Sequence, residues 1–115
     1  MNPLRYPQGG TISLSGNVKS GDPTGWAPTA QLRPVAKGAT TLTGNEPVEA
    51  EFDVVLIPAS GSAPVRFACT IPAAESASIE RGYYLADIRL ENGANVAYSA
   101  LVPIEIYIPA TRPVV

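Results

Sequence analysis

Histidine is absent from this chain of 115 residues, and cysteine occurs once. The first absence removes the usual metal ligand and the usual neutral-pH acid–base group, together with Ser-His and Cys-His nucleophile systems. The second excludes an internal disulfide and a cysteine-based zinc site within one chain. Charge is also scarce, at 16% Asp, Glu, Lys and Arg against about a quarter in a typical domain. The net charge is −2 and the eight basic residues are scattered, which argues against nucleic acid as a partner. No apolar run reaches the roughly eighteen residues of a membrane span, and there is no basic amphipathic stretch for a membrane surface. The first residues lack the apolar core of a signal peptide, so nothing in them directs secretion. Gly9-Gly10-Thr11 leads into a strand pattern with no Gly-Lys-Ser/Thr after it, so no phosphate loop and no cofactor is expected.

Proline and glycine, by contrast, are plentiful, at twelve and ten, and they fall between apolar runs. The length suits one domain with its own core. The clearest pattern spans residues 83–108. Tyr84, Ala86, Ile88 and Leu90 alternate with polar residues, Asn92-Gly93 supplies a tight turn, and the alternation resumes from Val96 to Ile108. Earlier strands are expected at 11–19, with Gly16 as a bulge or close-approach point, and at 26–33, with Ala30 and Leu32 facing in. A further strand is expected at 48–57, apolar on both faces at its end and hence covered there, and its return at 65–71. A short extended piece is expected near 41–43. Residues 72–81 suit one or two helical turns. Pro103 marks a bulge, an edge or a change of sheet. The expected fold is all-β, an immunoglobulin-like antiparallel β-sandwich of six to seven strands with one short helical turn. It divides into an N-terminal arm at 1–10, the sandwich at 11–109 and a C-terminal tail at 110–115.

Chemistry is thinly represented. Glu49, Glu51 and Asp53 share one strand face, where carboxylates could seat calcium or serve as paired acids, but a solvated outer face explains them more simply. Cys69 reads as a buried, inert thiol beside Phe67 and Ile71. Trp26 reads as a core anchor. Tyr98 falls on the inward register, whereas Tyr83 and Tyr107 fall on the outward one with Leu85, Ala97 and Leu101. That outward set is either a contact face or a surface covered within the monomer. Both termini are proline-rich, as arms that reach a neighbour often are. The candidate contact residues are therefore Tyr83, Leu85, Leu101 and Tyr107 on the hairpin and Tyr6 and Arg112 on the arms. Removing 1–8 or 110–115 is expected to leave the melting temperature nearly unchanged.

The run Gly9-Gly10-Thr11-Ile12-Ser13-Leu14, then Thr24-Gly25-Trp26, Gln31-Leu32-Arg33 and Gly82-Tyr83-Tyr84-Leu85-Ala86-Asp87-Ile88-Arg89 resembles a family of small virion proteins of tailed bacteriophages. It is similar to the immunoglobulin-like module at the N-terminus of phage upper baseplate proteins. The resemblance covers residues 9–112, and Gly10 stands where the family commonly has the acid of a Gly-Asp-Thr opening. It implies a non-enzymatic structural protein of the virion, present in several copies as a homo-oligomer and assembled in the host cytoplasm. Other virion proteins would be its partners in the tail, neck or baseplate. A capsid decoration protein and a carbohydrate- or host-surface-binding module are the alternatives.

Overall fold

The computed structural model describes residues 3–18 and 22–111. In chain order the elements are β1 (Leu4–Pro7), β2 (Ile12–Asn17), β3 (Ala27–Val35), β4 (Ala50–Glu51), β5 (Asp53–Ile57) and β6 (Arg66–Ile71). They continue with α1 (Ala73–Ser76), β7 (Gly82–Asn92), β8 (Asn95–Tyr98) and β9 (Val102–Tyr107). Two sheets result. The larger runs β1-β9-β7-β3-β4, with β8 also beside β7, and the smaller runs β2-β6-β5. Every pairing is antiparallel except β1 with β9.

Two of these divisions fall within single runs of chain. The run β4–β5 changes sheets at Phe52, whose N–H donates to Ala30 O while Val54 already pairs with Cys69 of β6. Alternation survives the change because both inner faces look onto one core. The run β8–β9 is interrupted by a bulge: Arg89 faces Tyr98 while Ala86 faces Val102, so the return strand carries one residue more than β7 between those pairs. Joining each run leaves seven strands, and β9-β7-β3 packed against β2-β6-β5 is the immunoglobulin-like sandwich. The bulge lies just before Pro103, where a missing N–H interrupts regular pairing.

The core lies between the sheets. Ile12, Phe67, Cys69 and Ile71 of the smaller sheet meet Leu32, Tyr84, Ala86, Ile88, Ile104 and Ile106 of the larger, all buried. Each large aliphatic here contributes ~1.5–3 kcal/mol of burial. Gly16 is the expected close-approach point: a Cβ there would lie 2.9 Å from Ile88 Cδ1. Pro28 and Pro34 of β3 share a register with Ala30 and Leu32, whose carbonyls accept bonds from Phe52 and Glu49 on the β4 side. Prolines on that side can donate nothing, and β4 pairs only with Gln31 and Leu32.

The helical turn expected after Pro72 is α1, and it continues through a turn to the buried Ile79. The Tyr84 hydroxyl then donates to Glu80 O at 2.6 Å, a tyrosine corner tying the start of β7 to the chain before it. At the hairpin tip Gly93 has φ +59, and among the described residues none other than glycine has a positive φ. That fits a turn of type II′ with glycine at its first central position.

Several expectations need correction. Part of the N-terminal segment is not an arm, because Leu4–Pro7 is a strand of the larger sheet, in register from Leu4 with Ile104 to Pro7 with Tyr107. Gln8 N–H then donates to Tyr107 O, and Gly9 N–H to the fully buried Ser76 Oγ at 2.9 Å. The signal for this strand was hidden because four residues are too few to show a period. No strand forms at residues 41–43. Instead the Glu46 carboxylate accepts from the backbone N–H groups of Thr43 and Gly44, which holds its pKa down at about 2. Trp26 is only partly buried and lies outside the core cluster. The end of the strand at 53–57 is uncovered, with Val55 57% exposed.

Candidate functional site

Four of the six residues singled out for contact, Tyr83, Leu85, Leu101 and Tyr107, lie on the outer face of the larger sheet. On β7 the inward residues Tyr84, Ala86 and Ile88 leave Tyr83, Leu85 and Asp87 facing out. Leu85 is nevertheless only 1% exposed. It lies in the floor of a cavity of about 520 Å³ formed with Leu101, Pro103, Val35 and the loop at 36–40, with Tyr83 and Glu105 also lining it. For Leu85 the outward register is therefore covered within the chain. Tyr83 and Leu101 remain partly exposed in the wall, and Lys37 Nζ stands 6.0 Å from the centre of the Tyr83 ring. The cavity is thus mostly apolar, with one cation and one carboxylate beside it.

Tyr107 faces out on the neighbouring strand β9 but is half covered by β1. The Arg5 guanidinium lies 4.5 Å from the centre of its ring and pairs with Glu105 at 3.2 Å. Tyr6, on the opposite face of β1, packs against the core and donates its hydroxyl to Ser13 O. It is a structural residue, and burial pushes its pKa up. Arg112 lies outside the described residues. The structure therefore brings Tyr83, Leu85 and Leu101 into one cavity, sets Tyr107 beside it, and turns Tyr6, partly buried, toward the core.

Further along the same face Arg33 donates to Gln31 Oε1 and to Glu46 O, and Gln31 donates to Glu51. Burial raises the pKa of Asp87, with the Arg33 charge opposing that shift. Arg89 bonds Glu91 at 2.6 Å and Tyr98 at 3.2 Å. The bulge explains Tyr98: the extra residue moves it to the outer face with Arg89, and it is 64% exposed instead of inward. By the same shift Ala97 pairs with Leu90 and leaves the outward register.

The other chemical candidates separate. Glu51 belongs to the larger sheet and Asp53 to the smaller, so the change of sheet at Phe52 divides the acidic row. Among the described residues no group of three or more metal-ligating side chains comes together. Trp26 precedes the end of β3 that pairs with Glu91, whereas Tyr83 pairs with Val35 at the other end. Trp26 is thus not brought together with Tyr83, whereas Tyr107 lies on the same face as Tyr83, whose partner on β9 is Glu105. Cys69 is buried, and burial raises its thiol pKa. Sequence reading missed Val35, Pro103 and the loop at 36–40 as cavity walls. The only local signal was the small, apolar Val35-Ala36 and Ala39 around Lys37-Gly38. No protein-family model and no curated protein matches the chain.

Proposed function

We propose that the chain is a non-enzymatic structural protein of a tailed-phage virion. It acts as a multi-copy β-sandwich adaptor in the tail, neck or baseplate, meeting another virion protein through the outer face of its larger sheet. One observation carries the contact surface: an apolar cavity with Leu85 in its floor and Tyr83 and Leu101 in its wall, open on the outer face of the larger sheet. Such a cavity receives an apolar anchor side chain, and contacts of that kind dominate interface energies. The placement of the resemblance in a phage particle is supported by the residues quoted for it. Gly82 to Arg89, its longest stretch, builds the start of the central strand β7.

Substituting Leu101→Glu tests the surface. The variant is expected to keep its melting transition, because Leu101 is partly exposed. It is expected to lose capture of tail, neck or baseplate proteins encoded in the same genome, measured by pull-down with purified components. Capture that survives the substitution, or no capture by the unaltered protein, would sink the proposal.

A further inference from the structure

We infer that β5 is a self-pairing edge, joining two copies of this chain antiparallel about a two-fold axis at Val55. Natural sheet edges are blunted by lysine, proline, bulges or very short length. Of the other edges, β1 carries Arg5 and Pro7, β4 has two residues, β8 has four and ends at the bulge, and the outward residues of β2 are the polar Ser13, Ser15 and Asn17. By contrast β5 is five residues, Asp-Val-Val-Leu-Ile, without proline, glycine or lysine, and pairs with β6 in unbroken register. Among the described residues its second edge has no partner strand. Val55 is 57% and Leu56 37% exposed.

The sequence of β5 is self-complementary about Val55. In an antiparallel pair centred there, Val55 faces its own copy on the outer face, and Val54 faces Leu56 of the second copy on the inner one. Both contacts are apolar, and the second covers the uncovered end of the core. At each end Asp53 faces Ile57 of the second copy. In the chain itself Ile57 pairs with Arg66 of β6. The joined sheet therefore sets Arg66 and the second copy's Asp53 on one face, two strand spacings apart, or about 10 Å of backbone. An arginine and an aspartate side chain span that distance together. Among the described residues neither Arg66 nor Asp53 has an ion-pair partner within one chain. The axis thus matches apolar residues at its centre and opposite charges at its two flanks, and the register is fixed by both. This edge lies on the smaller sheet, away from the cavity, so the inference stands independently of the virion reading.

Sedimentation equilibrium of the full chain over a concentration series tests it. The unaltered protein is expected to pass from monomer to dimer. Val55→Lys, which sets two like charges opposite each other, is expected to remain monomeric with an unchanged melting temperature. Asp53→Lys and Arg66→Glu are each expected to weaken the dimer, and the double variant to restore it. A monomer at every concentration up to millimolar overturns the inference, as does a dimer insensitive to Val55→Lys. Failure of the double variant to recover association overturns the register and the self-pairing with it.

Discussion

At the scale of single residues, Tyr84 shows how one polar atom holds an apolar fold together. Its ring fills the core while its hydroxyl reaches Glu80 O. Losing that bond in Tyr84→Phe is expected to cost about 1 kcal/mol, the net value of one hydrogen bond, read as a lower denaturant midpoint. Burial, with the Glu49 and Glu80 charges adding to it, pushes the Tyr84 pKa from about 10 up to about 12. The folded state therefore holds this proton more tightly than the unfolded chain does. The resulting stability is complete below pH 10 and is lost as pH rises through about 12. Melting temperatures across that window are expected to fall more steeply for the unaltered protein than for Tyr84→Phe. Equal slopes would show that this phenol contributes nothing to the alkaline loss.

At the scale of elements, the N-terminal segment reverses its expected role. With Leu4–Pro7 in the sheet, Tyr6 packed against the core and the Gln8 side chain bonded to Ile79 O at 2.7 Å, removing residues 1–8 is expected to cost about 2 kcal/mol from lost burial and hydrogen bonds. Calorimetry would register this as a melting point lowered by several degrees; an unchanged one would restore the arm reading. The strands that alternation made legible, β2, β3, β6 and β7, are those with one face on the core and the other toward solvent. Alternation could not reveal the change of sheet at Phe52, because Ala50, Phe52 and Val54 point to the same core from either sheet. Nor could it reveal the bulge before Pro103, since one inserted residue leaves each half alternating and shifts only their relation. Tyr98 was misplaced for that reason. The cavity was half legible: Tyr83, Leu85 and Leu101 share an outward pattern, but the loop that covers Leu85 has no periodic signal to place it.

At the scale of the whole molecule, one core joins the two sheets. Trp26 stands at one end of β3, while the strands report on the entire sandwich. Unfolding by denaturant is therefore expected to give coincident transitions by Trp26 fluorescence and far-UV circular dichroism, the signature of a single cooperative unit. Separate midpoints would reveal that the β3 end loosens on its own. The parallel pairing of β1 with β9 also sets an order of events during synthesis. Leu4 leaves the ribosome a hundred residues before its partner Ile104, so β1 cannot dock until β9 has been made. Contacts this distant along the chain form slowly. Until β1 docks, the free side of β9 is open to the β1 segment of any neighbouring chain at the same stage. Crowded synthesis thus favours exchange of this strand between copies, a route to intertwined pairs that dilution of the finished protein would not undo.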